Sequence, residues 1–275
     1  MQKHAYLVIC HKNKDQVIDL IQELVKHIEN HCLVFCDMNF NIDLTEISSI
    51  GASSQITLIH SNFKIEWGKF SLVEAGLLLL EKAYHLNVDF SYFHLISGQD
   101  YPIKSNEQIQ DFFKDNNKIY IDYFSLPRSD GHWPPDGGLS RYLANNNNKA
   151  HLPKDIKTLY GGSQWWSLPN ESVGYVLNYV KDNPSIKKFY HGTLIPDESF
   201  MQTILLNSIK LRKKIVNNNL RYIDWLSGPL FPKILIESDL KKIIESKCLF
   251  ARKFDQNEDP NIIKYLKTHI RSKRI

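Results

Sequence analysis

The opening of the chain leaves few folds available. Ala5-Tyr6-Leu7-Val8-Ile9-Cys10 is a continuous apolar run. That is the mark of a strand buried on both faces, and it is too short to cross a membrane. After His11-Lys12-Asn13-Lys14, apolar residues recur at Val17, Ile18, Ile21, Leu24, Val25 and Ile28, the spacing of an amphipathic helix. Leu33-Val34-Phe35-Cys36 is a second buried strand, and it ends at Asp37. A β-α-β opening of this kind implies a right-handed crossover and a parallel pair. It lacks G-x-G-x-x-G, so an ordinary dinucleotide fold is not indicated. Asp37 falls at the carboxyl edge of the sheet, where ligands of open α/β sheets sit. A carboxylate there either accepts from a nucleoside hydroxyl or base N–H, or closes a turn.

The same alternation continues. Ile56 to Ile59 reads as a strand, and Ser71-Leu72-Val73-Glu74 as a capping box opening a helix to about His85. Trp67 before Gly68 is either a rim or core tryptophan or a ring that stacks on a ligand. Phe90 to Ile96 is a strand running into the tight loop Ser97-Gly98-Gln99-Asp100-Tyr101-Pro102, where Asp100 either bonds a sugar or closes the turn. Ser105 and Gln108 cap a helix to about Lys114, and Lys118 to Phe124 is a further strand. Ser125 to Tyr160 shows no periodicity beyond a short helix around Leu139 to Leu143. It is read as a lid or binding loop, and its Arg128, His132, Trp133, Arg141 and His151 suit carbohydrate faces and hydroxyls. Gly161-Gly162 then precedes an aromatic strand with Trp165 and Trp166, Asn170 caps a helix to about Lys181, and Leu220 to Trp225 is a strand. Ser238 starts a helix to about Lys247, and Asp259-Pro260 opens a closing helix. If Leu249 to Phe254 is extended, Phe250, Arg252 and Phe254 share one face and Lys253 points the other way.

These elements define an α/β fold with a mostly parallel central sheet flanked by helices. At 275 residues, one domain spanning 1–275 fits best, with a nucleotide-binding half to about 125 and an acceptor and catalytic half from about 126. A net charge of +4 suits an anionic small ligand and argues against a dedicated nucleic-acid surface. Cys10, Cys32, Cys36 and Cys248 form no CxxC pair and read as thiols in a reducing compartment. With no secretory signal or membrane span in the sequence, a cytoplasmic protein is expected. The basic ending Arg271-Ser272-Lys273-Arg274 is read as a solvated tail, with peripheral contact to an anionic membrane surface as the alternative.

Acidic pairs for a metal are missing at the strand ends, as are His-Glu-x-x-His, a P-loop and Gly-x-Ser-x-Gly. A diphosphate would then need lysine or arginine as counter-charge, and the late candidates are Lys233, Arg252 and Lys253. Pro196-Asp197-Glu198 sits ahead of a helical stripe at Phe200, Met201, Ile204 and Leu205. By itself it is a well-capped helix start; the sharper reading makes one acid a positioned general base.

Taken in order, the motifs resemble the family of core-2/I-branching β-1,6-N-acetylglucosaminyltransferases and peptide O-xylosyltransferases. They are Ala5-Tyr6-Leu7 with His11, Val34-Phe35-Cys36-Asp37, Trp67-Gly68 with Ser71-Leu72-Val73-Glu74-Ala75, Leu95-Ile96-Ser97-Gly98-Gln99-Asp100-Tyr101-Pro102-Ile103, Gly162-Ser163-Gln164-Trp165-Trp166, Pro196-Asp197-Glu198-Ser199-Phe200, and Leu249-Phe250-Ala251-Arg252-Lys253-Phe254. The resemblance implies a glycosyltransferase A-type fold, a UDP-sugar donor, a glycan or glycolipid acceptor, inversion at the anomeric carbon, and no metal or other cofactor. It implies that Glu198 is the catalytic base, Lys253 contacts the donor diphosphate, and Asp37 lies near the uridine. His11, Asp100, Lys233 and Arg252 join the donor side; Trp165, Trp166 and Arg141 join the acceptor side. Asp197 keeps the capping role, and the helix N-terminus is expected to keep Glu198 ionised.

One departure concerns the family's second diphosphate cation. Its place falls near Leu230, so Lys233 or Arg252 is expected to substitute. The chain starts at its first strand, as expected of a bacterial relative acting in the cytosol on a surface-glycan precursor. N-acetylglucosamine is the expected sugar. The alternatives are UDP-xylose or another UDP-sugar, or a catalytically inactive glycan- or nucleotide-sugar-binding protein.

Overall fold

The two apolar runs at the start become parallel neighbours, β1 (Lys3–Cys10) and β2 (Asn30–Cys36), joined by helix α1 (Lys14–Val25). The structure, a computed structural model, describes residues 2–38, 40, 42, 46, 53–129, 136–143, 151–227 and 231–272. Expectations for residues 132–135, 145–148, Leu230 and the side chains of the basic ending fall outside these. The other strands are β3 (Ile56–His60), β4 (Phe90–Ser97), β5 (Asp100–Pro102), β6 (Ile119–Ser125), β7 (Tyr160–Pro169), β8 (Ile215–Val216), β9 (Arg221–Ile223) and β10 (Phe250–Arg252). The other helices are α2 (Ser71–Tyr84), α3 (Asn106–Phe113), α4 (Asn170–Asp182), α5 (Pro184–His191), α6 (Phe200–Asn207), α7 (Leu240–Glu245) and α8 (Ile262–Ser272). Among the described residues no helix is long and apolar enough to cross a membrane.

The chain divides into two compact units, one of residues 1–61, 95–116 and 220–275, the other of 62–94 and 117–219. The halves expected on either side of residue 125 are not these units. Strand β10 pairs antiparallel with β5 and parallel with β9, which returns the end of the chain to the first unit.

In the first unit the strand order is β3-β2-β1, with the end of β4 next. The β1/β2 and β2/β3 pairs are parallel, as the continuous apolar runs require. Cys10 pairs with Cys36 in register, so His11 and Asp37 leave the sheet side by side. The Asp37 N–H donates to the Cys10 carbonyl at 3.0 Å. All four cysteines are free thiols. Asp100-Tyr101-Pro102, expected as loop, is strand β5, because its partner lies some 150 residues downstream and is invisible to local pattern. The capping box expected at Ser105 and Gln108 is present.

In the second unit the order is β4-β7-β6-β8, antiparallel at β4/β7 and β6/β7 and parallel at β6/β8. The expected box at Ser71 and Glu74 does not form. The helix takes Phe70 as its cap residue, and the Ser71 hydroxyl instead accepts from the Glu66 N–H at 2.9 Å. The β6/β7 register shifts between Ile121 and Tyr123, and Gly162 lies against that irregularity. A Cβ at Gly162 would stand 1.9 Å from the Asp122 carbonyl oxygen and 2.9 Å from Gln202 Nε2. Gln202 Nε2 donates to the Ser163 carbonyl at 2.6 Å, which fastens α6 to β7. Gly162→Ala should therefore cost about 3 kcal/mol. Urea unfolding would show it as a lower midpoint with an unchanged slope.

Candidate active site

The acidic turn is built by the second unit. After α5 the chain passes through Gly192 to Ile195 and enters a single 3-10 turn, Pro196–Glu198, before α6 begins at Phe200. Three bonds hold the approach: Leu194 N–H to the Arg141 carbonyl at 2.8 Å, Ile195 N–H to the Gly68 carbonyl at 2.9 Å, and the Tyr142 hydroxyl to the Ile195 carbonyl at 3.4 Å. Gly68 itself has φ of 73°, which explains a glycine after Trp67. Ile195 is left-handed, at φ 54° and ψ 53°. For a β-branched residue this costs about 1–3 kcal/mol, and the three anchors hold it. Past the turn, the buried Ser199 hydroxyl bonds with the Tyr190 hydroxyl at 2.8 Å and Thr203 Oγ1 at 3.3 Å. Phe200 packs edge-on against Phe70 and Tyr190.

Glu198 keeps 27% of its side-chain surface, and its Oε2 accepts from Arg141 Nη1 at 3.3 Å. Burial pushes its carboxyl up to about 7; neighbouring Asp197 adds to the rise and Arg141 opposes it. Burial thus opposes the ionisation of Glu198 expected from its place at the helix start. Asp197 is pushed up to about 6, also by burial. Neither acid makes a side-chain cap bond to α6. Arg141 comes from a 3-10 turn, Leu139–Arg141, close to the short helix expected there, and it is brought to Glu198 across 57 positions. Trp165 and Trp166 are both buried, at 8% and 2%, whereas Trp67 is 70% exposed. Of Trp67, Trp165 and Trp166, only Trp67 presents a ring to solvent; Trp225 is exposed as well.

The first unit holds the cationic set. His11 is exposed and Asp37 half-buried at the carboxyl ends of β1 and β2, and Asp37 Oδ1 accepts from the Met38 N–H at 2.6 Å. Desolvation holds His11 below its usual value, helped by Lys12, Lys253 and Arg252 and opposed by Asp37. The same neighbourhood therefore gathers His11, Lys12, Asp37 and Lys253. Gln16 Nε2 donates to the Gly98 and Phe254 carbonyls at 2.9 and 3.2 Å, tying the C-terminal strand to α1. Lys253 is half-buried, and its ammonium is held below the usual lysine range by desolvation and by Arg252 and Lys12. Lys12 pairs with Asp255 at 2.6 Å.

Arg252 and Lys233, like Lys12, have internal partners. Arg252 faces the core, 9% exposed, and pairs at 3.3 Å with Asp100, which is wholly buried and also accepts from the Ser97 N–H. Burial raises the Asp100 carboxyl and Arg252 opposes the rise. Lys233 Nζ lies 2.7 and 2.8 Å from the two oxygens of buried Asp239. The donor-side reading of Asp100, Arg252 and Lys233 thus meets side chains already committed to structural pairs. Lys12, not singled out by the sequence, joins Lys253 instead; its signal was only its place beside His11.

One unit thus presents an acid near neutrality beside an arginine, and the other a lysine-rich sheet edge with an aspartate. Both belong to an α/β fold, and each set is built from the residues of its own unit. The chain belongs to the Core-2/I-Branching enzyme family, whose model matches residues 4–243. Lys253 lies past that span.

The chain is similar to a xylosyltransferase of Ciona intestinalis, at 23% identity over 95% of this chain and 33% of that one. Xylosyltransferase 2 of Rattus norvegicus is 24% identical, covering 97% and 33%. The chain therefore spans about a third of the length of these relatives. Among solved structures it is similar to residues 1–349 of S. aureus TarS in complex with UDP, with a TM-score of 0.43 and 11% identity over 97% of this chain and 65% of that one.

Proposed function

We propose that this chain is an inverting, metal-independent glycosyltransferase of A-type fold, moving a sugar from a UDP-sugar to a hydroxyl of a glycan or glycolipid. The observation that carries the reading is Glu198 in its clamped turn, bonded to Arg141, with its carboxyl near 7. A general base works best when its proton affinity lies near the working pH. The acceptor hydroxyl attacks the anomeric carbon from the face opposite the leaving UDP, and Glu198 takes its proton. Lys253, with Lys12 beside it, neutralises the charge growing on the diphosphate. Asp37 and His11 serve the nucleoside end, and Arg141 orients Glu198 toward the acceptor. Trp67 is a better candidate than the buried Trp165 and Trp166 for stacking on sugar.

N-acetylglucosamine in bacterial surface-polysaccharide or lipooligosaccharide synthesis, at the cytoplasmic face of a membrane, is the first choice of substrate and setting. Xylose is the second, favoured by the names of the curated relatives. A panel of UDP-sugars, scored by binding and by donor hydrolysis with and without chelator, tests the whole reading. Binding of none of them would sink it. Activity lost to chelator and restored by manganese would remove the metal-free part.

Lys253→Ala should weaken UDP binding by about 10–100-fold, the value of a charge-assisted contact. Calorimetric titration with UDP measures it, and unchanged affinity would remove Lys253 from the donor site.

A further inference from the structure

The sequence suggests a capping role for Asp197, yet its side chain makes no cap bond to α6. Its Oδ1 is buried without a hydrogen-bond partner among the described residues. A buried carboxylate oxygen without a donor is costly, and the one bond to this carboxylate that lowers its proton affinity comes from its own backbone N–H. It shares the three-residue turn with Glu198, and Arg141 acts on both carboxylates.

We propose that Asp197 is a positioning residue for proton transfer: its carboxylate, held in the same turn as Glu198 and within the field of Arg141, sets the pH at which Glu198 can take a proton from the acceptor hydroxyl. This rests on Glu198 being the base. Glu198 contacts the Arg141 guanidinium and Asp197 precedes it in the same turn, so ionising both leaves one charge uncompensated. Negative charge on Asp197 raises the proton affinity of Glu198, and Arg141 lowers it; the base is set by the balance.

Several elements bring ionisable groups toward the turn. The 139–143 segment offers Arg141 and the Tyr142 phenol, and α5 offers the Tyr190 phenol and His191. His191 is directed to Glu74 of α2 at 3.9 Å. Strand β7 contributes only the Tyr160 phenol, and α6 carries no ionisable side chain. Helix α2 adds Glu74, Glu81 and Lys82, Lys69 follows Gly68, and α5 also carries Lys187 and Lys188. Among the described residues, Arg141 is the cation that acts on both acids of the turn.

The test is the pH dependence of kcat/KM for the acceptor in wild type, Asp197→Asn and Arg141→Gln. Asp197→Asn should move the acid limb to lower pH by about one unit, and Arg141→Gln should move it to higher pH. A folded Asp197→Asn variant whose limb stays in place, or moves up, overturns the proposal. Carbon-13 titration of the wild-type carboxyls needs no variant: coupled groups each report both titration steps, and two independent single steps overturn it. Glu198→Gln separates the two readings. Normal turnover there removes the base, whereas lost turnover with an unmoved Asp197→Asn limb removes only the role of Asp197.

Discussion

Glu198→Gln should lower kcat by about 10²–10⁴-fold while leaving UDP-sugar affinity nearly unchanged. The amide keeps the size of the side chain and an oxygen for Arg141 to donate to at the present 3.3 Å contact. The clamp on the turn does not involve the carboxylate: it runs through Leu194, Ile195, Tyr142 and the Ser199 network. What the change removes is the lone pair that accepts a proton. In the wild type, activity should rise with pH through about 7, the value of the Glu198 carboxyl, because only its deprotonated form can act. That limb should vanish in the variant. Single-turnover kinetics beside UDP titration separates chemistry from binding, and a variant that turns over normally, with the limb intact, would disprove the assignment.

Arg252→Ala should destabilise the fold by about 3–5 kcal/mol, because it strands the fully buried Asp100 without its ion-pair partner. Changing both residues to apolar ones of similar size should restore most of the loss. The variant also carries a pH signature. Burial raises the Asp100 carboxyl even with Arg252 present. Without the arginine, the folded state binds a proton more readily than the unfolded chain does. Stability relative to wild type should then increase as pH falls through the raised Asp100 titration. Thermal unfolding as a function of pH reads it. Loss of UDP affinity with no loss of stability would instead assign Arg252 to the donor site. The contrast with Lys253→Ala matters, since the two residues are adjacent and only strand geometry distinguishes their roles.

Much of this architecture is legible in residue order. The apolar runs of β1 and β2 and the stripe of α1 specify a parallel pair, because each run is apolar at consecutive positions and so must be covered on both faces. That pairing by itself sets His11 beside Asp37. The parity of Phe250, Arg252 and Phe254 against Lys253 likewise separates a core-facing cation from a half-buried one. Local capping was read less well: Ser105 and Gln108 form their box, whereas the Ser71 hydroxyl accepts from the Glu66 backbone N–H. Both patterns satisfy the same rule, and the preceding backbone decides between them.

What sequence determined alone was the α/β class, the acid-bearing turn before α6, and the two candidate cations at 252 and 253, since each rests on spacing or on near neighbours. Tertiary structure decided which of them are available to a ligand. Asp100, Arg252 and the two tryptophans of β7 are taken up by the interior, and half-buried Lys233 by its pair with Asp239, through partners or packing that no local pattern records. Arg141 meets Glu198 only once distant segments have folded together. Burial and charge compensation depend on the whole surroundings of an atom, so they emerge only when the chain has closed around it.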